Sequence, residues 1–181
     1  MDANDIYIVN YRHSNCEPLK SITQLPEDEA FALAKKLYEE SPCRAHNRFG
    51  PDFKWYYQHR IRTEAWLYDH FIAIGGKPSI KNPYYFLLDR SDVFDAYFGY
   101  GKTIKLALNN IDTCDVSFTF DDSCKMMDAP NRQEPFLKGK LLEYISMNGN
   151  SVESFLDSMK DQYDCIEAQL WTDKYFKNCL M

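Results

Sequence analysis

The sequence predicts an α+β fold in which N-terminal helices pack on a mainly antiparallel sheet from the second half of the chain. Apolar residues recur at helical three- and four-residue spacing over 27–40 and 53–74, whereas short β-rich runs follow later. Helices and strands do not alternate regularly, as they would around a parallel sheet. No repeat, linker or low-complexity tract divides the sequence. We therefore expect residues 1–181 to form a single domain.

The first half contains one predicted strand and two predicted helices. A β-rich run predicts a strand over residues 5–12. Pro26 and the acidic residues after it predict a helix start, because proline suits the first turn and carboxylates are favoured at the positive end of the helix dipole. This helix should end near Glu40, since the residue before Pro42 avoids helical geometry. Gly75 suits the C-terminal cap of the second helix.

The second half supplies most of the predicted strands. Residues 116–120 alternate apolar side chains with Ser117 and Thr119, which is typical of a strand with one face exposed to solvent. The other predicted elements are strands at 84–88, 103–108 and 165–171, helices at 91–98, 135–147 and 152–160, and a loop at 125–134. Ser91 and Ser151 are expected to cap the starts of the 91–98 and 152–160 helices.

Composition excludes several classes of protein. Hydrophobic residues make up 45% of the chain and aromatic residues 15%, which is enough to form a core and argues against disorder. The net charge of −6 disfavours non-specific binding to nucleic acid or anionic lipid. No apolar run is long enough to span a membrane, and the first five residues lack the features of a secretory signal. We expect a cytoplasmic protein whose six cysteines are free thiols.

Basic and aromatic residues are concentrated between positions 44 and 62 of a chain that is acidic elsewhere. Cations beside stacking surfaces suit a ligand that carries phosphate or a nucleobase. The alternative is that these arginines pair with carboxylates of the 27–40 helix and of the C-terminal half. The candidate ligand-binding residues are Arg44, Arg48, Trp55, Tyr56, His59, Arg60 and Arg62.

Two pairs of potential metal ligands have the same spacing. His13 and Cys16 are separated by two residues, as are Cys43 and His46, and this spacing occurs in zinc sites. Mixed pairs of this kind also arise by chance, so free cysteines and solvent-facing histidines are the alternative. We predict no metal and no cofactor.

The last predicted strand places a carboxylate among apolar residues. Alternation puts Ile166, Ala168 and Leu170 on one face, and Glu167 on the other. Glu167 is therefore a candidate to point into a cleft. The alternative is a carboxylate on the solvated face of an edge strand.

Arg12 at the end of the first strand, Tyr84-Tyr85 at the start of a middle strand and Glu167 on a late strand occur in an order that resembles the ADP-ribosyltransferases. The resemblance implies that Arg12 holds NAD, Tyr84 lines the nicotinamide pocket and Glu167 orients the attacking group. Glu167 would also stabilise positive charge on the ribose as nicotinamide leaves. The chain departs from the family in lacking a Ser-Thr-Ser motif and in having Cys165 two positions before the glutamate, where the family has an acidic residue or glutamine.

Three functions follow as alternatives, and whether the protein is an enzyme stays open. The first is binding of an anionic or nucleotide-like small molecule, or of a protein partner, through the 44–62 segment. The second is an ADP-ribosyltransferase-like activity. The third is a protein-interaction module that uses exposed aromatic residues, which are favoured at interfaces, namely Tyr97, Tyr100 and Trp171.

Overall fold

Six strands form one sheet in the computed structural model, which describes residues 6–176. The strands are β1 (Tyr7–Arg12), β2 (Tyr84–Leu88), β3 (Lys102–Ala107), β4 (Val116–Phe120), β5 (Phe136–Leu137) and β6 (Ile166–Leu170). The order is β3-β1-β2-β6-β4-β5, and all neighbouring strands are antiparallel. The predicted α+β class is confirmed. Asp5, the predicted start of the first strand, lies outside the described residues.

Two long helices precede most of the strands, as the sequence predicts. The helices are α1 (Glu27–Glu40), α2 (Phe53–Ala73), α3 (Asp92–Tyr97), α4 (Ser123–Met126), α5 (Lys138–Met147) and α6 (Val152–Met159). Predicted caps are present at two of them, because Ser91 Oγ accepts a hydrogen bond from Phe94 N and Ser151 Oγ accepts one from Ser154 N. In residues 6–176 no helix is long and apolar enough to cross a membrane.

The main hydrophobic core lies between one face of the sheet and helices α5 and α6. Side chains from β1, β2, β4 and β6 interlock there with those of the two helices. Each large side chain that is fully buried contributes about 1.5–3 kcal/mol. The core includes Ile8, Phe86, Phe118, Ile166, Ala168, Leu141 and Phe155.

The opposite face of the sheet is also covered. Helix α2 packs there through Leu67 and Phe71, and the Phe71 ring stacks on the fully buried Trp171 with 5.1 Å between ring centroids. Helix α1 packs against α2 and the 3-10 turn Arg44–Phe49 in a separate hydrophobic cluster. The sheet is therefore sandwiched between helices.

This second helical layer overturns two expectations from the sequence. Strand β6 lies in the middle of the sheet, so Glu167 is buried and does not occupy the solvated face of an edge strand. Ser117 and Thr119 on β4 are buried as well, although their alternation predicted a solvent-exposed face. Alternating polar residues mark one face of a strand. A helix can still cover that face when the polar side chains of the strand form hydrogen bonds with one another.

Smaller differences concern the segment before α5. The expected loop 125–134 begins inside the short helix α4, whose start is capped by the Asp122 carboxylate. The expected helix 135–147 starts with the two residues of β5 before becoming helical. The five cysteines among the described residues are free thiols, as predicted, and Cys179 lies outside that part of the chain.

Candidate functional site

Strands β1 and β2 are neighbours in the sheet but separate towards one end. They pair only at Ile8–Leu88 and Val9–Leu87, whereas β1 pairs with β3 along its whole length. Continued pairing would bond the Tyr11 N–H to the Tyr85 carbonyl. The side-chain Nδ2 of Asn10 donates to that carbonyl instead, at 2.8 Å. The two strands thus form an open fork.

A cavity of about 480 Å³ occupies this fork. Its walls come from the separated ends of both strands, from α1, α2 and α3, from the 3-10 turn Arg44–Phe49 and from the middle of β6. This volume is within the usual range for small-molecule sites, about 300–1,000 Å³.

Two arginines at the cavity have no carboxylate partner. Arg12 donates through Nη1 to the carbonyl of Cys16 at 2.6 Å, while its Nε is buried without a hydrogen-bond partner. The Nε of Arg48 is also buried and unpartnered, and its guanidinium lies 5.0 Å from the Phe49 ring centroid and 5.7 Å from that of Phe98. Throughout residues 6–176, no carboxylate lies within ion-pair distance of either arginine.

The two guanidinium groups are neighbours of one thiol. Burial raises the pKa of Cys16, and the positive charges of Arg48 and Arg12 both act against that rise. Both positive charges therefore act on this part of the cavity, and neither has an ion-pair partner among residues 6–176. This end of the cavity is therefore suited to an anion.

Glu167 supplies a buried carboxyl group on the β6 wall of the same cavity. Its Oε2 accepts hydrogen bonds from Ser123 N at 3.1 Å and Gln169 Nε2 at 3.0 Å. Burial, together with the negative charge of Asp122, raises the pKa of Glu167 to about 7, and Arg60 opposes the rise. Such a group exchanges a proton near neutral pH.

A chain of hydrogen bonds fixes the side of Glu167 that faces away from the cavity. Gln169 donates to both Glu167 Oε2 and Thr119 Oγ1, and its Oε1 accepts from Ser117 Oγ at 2.9 Å. Ser117 Oγ in turn accepts from Trp171 Nε1 at 2.9 Å. The buried polar groups of β4 and β6 therefore satisfy one another, which explains why this face tolerates burial.

Arg60 differs from the other two arginines because the protein neutralises it. Its Nε donates to Glu64 Oε1 at 3.1 Å, and its guanidinium lies 3.6 Å from the centroid of the Tyr85 ring. Glu64 also accepts hydrogen bonds from Thr23, Asn82 and Tyr85. This cluster ties α2 to β2 and forms part of the cavity wall.

Arg12, Tyr84 and Glu167, the three residues of the ADP-ribosyltransferase resemblance, all contribute to the wall of one cavity. Tyr84 nevertheless turns its ring to the main core, where it packs against Phe176 with 4.7 Å between centroids. The next residue, Tyr85, shares the sheet face of Glu167, since it pairs with Gln169. The structure thus brings Arg12 and Glu167 to the cavity without placing the Tyr84 ring beside Glu167.

The basic and aromatic 44–62 segment divides into two groups. Arg48, Tyr56 and Arg60 line the cavity. Trp55 stacks on His59 at 4.8 Å, and His59 donates to the carbonyl of Cys124 outside it. The remaining two arginines are exposed: Arg62 pairs with Asp128 of the C-terminal half, and Arg44 lies 5.9 Å from the Tyr97 ring. The pairing alternative therefore holds for Arg62 but not for Arg48.

The two histidine–cysteine pairs meet at the edge of the cavity. His46 Nε2 lies 3.6 Å from Cys16 Sγ, and the His13 and His46 rings are 5.1 Å apart. His46 is buried and bonds through Nδ1 to the Ser41 carbonyl, so it is not the solvent-facing residue expected from the sequence. Among the residues that the structure describes, no three histidine, cysteine or acidic side chains are grouped to hold a metal ion.

The interaction-module alternative relied on three aromatic residues. Trp171 is fully buried and offers no surface to a partner, because it stacks on α2. Tyr100 is 78% exposed, and Tyr97 is partly buried against Phe94 and Phe98. Of the three, Tyr100 alone has the exposure that this alternative requires.

Some cavity residues carry signals that sequence reasoning passed over. Asn10 is a polar residue inside a β-rich run, and Tyr85 faces the cavity by simple alternation with Tyr84. Asp122 gives no such signal, because its position depends on the order of the strands.

Comparison with protein-family models, curated proteins and solved structures finds no match to this chain. Function is therefore inferred from the chemistry of the cavity.

Proposed function

We propose that the protein binds an anionic small molecule in the fork cavity, with the phosphate or carboxylate group held by Arg12 and Arg48. The unpartnered, buried Nε atoms of these two arginines carry the proposal. A buried donor without a partner costs about 1–3 kcal/mol, and more when it is charged. The oxygens of a bound anion would satisfy both donors and offset the repulsion between the two cations.

The cavity wall also supports a nucleotide-like ligand. Phe49, Tyr56 and Phe98 surround the Arg48 guanidinium, with centroids 5.0, 5.9 and 5.7 Å from its central carbon. Aromatic rings beside a cation favour a flat group joined to an anion, because the base stacks while the arginine binds phosphate. The volume of about 480 Å³ suits a ligand of that size.

Calorimetric titration with inorganic phosphate, AMP and NAD tests this proposal. Arg48→Ala should weaken binding by about tenfold or more, since charge-assisted hydrogen bonds are lost. The matched control is Arg62→Ala, because Arg62 pairs with Asp128 outside the cavity. Failure of every probe to bind, or an equal loss in both variants, would contradict the proposal.

An ADP-ribosyltransferase-like activity is a second candidate, favoured by the presence of Arg12 and Glu167 in one cavity. Glu167 would act on the ribose of NAD held by Arg12. The test is release of nicotinamide from NAD, which Glu167→Gln should abolish. Glu153→Gln, an exposed change on α6, should leave it intact. If wild-type protein releases no nicotinamide, with or without added acceptor proteins, this candidate is rejected.

We also propose that the protein resides in the cytoplasm. The five cysteines between residues 6 and 176 are free thiols, which fits a reducing compartment. Fluorescence microscopy of the tagged protein with compartment markers tests this location, and accumulation in a secretory compartment would contradict it.

A further inference from the structure

Glu167 is a buried carboxyl group without a cationic partner. It is 6% exposed, and within the described part of the chain no Lys, Arg or His nitrogen lies within ion-pair distance of it. Its carboxyl group receives hydrogen bonds from Ser123 and from Gln169 Nε2, all of them from uncharged donors. Buried carboxylates are normally paired with a cation, so a carboxyl group that lines a cavity without one points to a ligand.

The surroundings of Glu167 are acidic overall. Asp122 acts on it from the loop after β4, Arg60 from α2 and Tyr85 from β2, while Cys165 lies just before the start of β6. Arg60 is already bonded to Glu64. The Arg60 charge that acts on Glu167 is thus already shared with Glu64, while Asp122 adds a further negative charge, so a positively charged group would relieve the excess.

The anion-binding end lies well away from this acidic end. Val9 pairs with Leu87, and Leu87 pairs with Glu167, so Glu167 is two strands from β1. Arg12 is three residues beyond Val9. With strands about 4.8 Å apart, the Cα atoms of Val9 and Glu167 are roughly 10 Å apart, and Arg12 lies further along β1, beyond the point where β1 and β2 separate. One cavity thus contains two arginines and a glutamate, Glu167, that have no ion-pair partners among residues 6–176, and its other charged lining residues are two lysines and three carboxylates, namely Lys20, Lys36, Glu17, Glu40 and Asp122, besides the paired Arg60.

We propose that the cavity binds an amphoteric ligand, whose anionic group is held by Arg12 and Arg48 and whose ammonium or other cationic nitrogen group is held by Glu167. This inference rests on the proposed anion site and specifies its ligand class. A purely anionic ligand would leave Glu167 unpaired and would be repelled by Asp122. A ligand with both charges satisfies the two ends at once.

Calorimetry with two matched series of probes tests the inference. Alkanesulfonates of about three to six carbons carry the anion alone, and ω-aminoalkanesulfonates of equal length add the ammonium group. Sulfonates keep their charge across the pH range used. At about pH 8 the amino form with the best-fitting length should bind on the order of tenfold more tightly, because it gains a charge-assisted hydrogen bond.

Two measurements assign that preference to the carboxyl group. Glu167→Gln should abolish the preference while leaving alkanesulfonate binding in place, and the exposed control Glu153→Gln should retain it. The wild-type preference should also disappear at about pH 5, where Glu167 is protonated, and this needs no variant.

The outcomes separate this inference from the proposed function. If both series bind equally at every length, the amphoteric ligand is ruled out and the anion site stands. The same holds if the preference persists in Glu167→Gln or at about pH 5. If neither series binds to wild-type protein, the anion site and this inference fall together.

Discussion

Replacing Glu167 with glutamine should change how stability depends on pH. Burial, together with the Asp122 charge, raises the pKa of Glu167 from 4.5 to about 7 in the folded protein. The folded state therefore keeps a proton that the unfolded chain releases between these values. By linkage, the wild-type free energy of unfolding contains a contribution that is fully present below about pH 4.5 and lost as the pH rises to about 7.

The size of the effect follows from the shift in pKa. Each pKa unit corresponds to about 1.4 kcal/mol, so the rise at Glu167 corresponds to about 3 kcal/mol. Glutamine has a shape similar to that of glutamate but does not titrate. The free energy of unfolding of Glu167→Gln should therefore gain about 3 kcal/mol on wild type between about pH 4.5 and 8. For a chain of this size that equals roughly 10 °C in Tm.

Urea denaturation across this pH range measures the effect directly. Wild-type protein, Glu167→Gln and the exposed control Glu153→Gln share every other titrating group, so those contributions cancel in the differences. The control should run parallel to wild type. A Glu167→Gln profile that also runs parallel would refute the buried, proton-binding state of Glu167.

Two further changes test the packing around the cavity. Trp171→Phe keeps an aromatic ring on Phe71 but removes the hydrogen bond from Trp171 to Ser117. The free energy of unfolding, measured in urea, should therefore fall by about 1 kcal/mol. An unchanged value would contradict the chain of buried hydrogen bonds that begins at Trp171. Gly101→Ala would place a methyl group 2.1 Å from the Arg12 carbonyl oxygen, so it should lower the free energy of unfolding by about 2 kcal/mol or more and weaken phosphate binding. Gly139→Ala, with open space on α5, should raise that free energy by about 0.5–1 kcal/mol, and equal effects of the two substitutions would contradict the close approach at Arg12.

Local signals predicted much of the secondary structure. Pro26 and the carboxylates after it predict the start of α1, and Ser151 predicts the capped start of α6. Alternation separated Glu167 from Ile166 and Ala168, as the structure confirms. These features depend on residues close together in the chain, so a single sequence contains the information.

The site could not be predicted to the same extent because it depends on contacts between distant strands. The sequence does not specify that β6 lies between β2 and β4, and this order decides the burial of Glu167. It also does not specify that β1 and β2 separate after Val9. Arg48 and Arg62 both belong to the basic 44–62 segment, yet of the two only Arg62 pairs with a carboxylate among the described residues.

The central claim is that Arg12 and Arg48 together form an anion site in the fork between β1 and β2. A crystal structure of the protein with bound tungstate, a heavy analogue of phosphate, tests it most directly, because anomalous scattering locates the ion. The account predicts an ion within about 4 Å of guanidinium nitrogens from both arginines. Tungstate bound elsewhere on the molecule, with no density between these two residues, would contradict it.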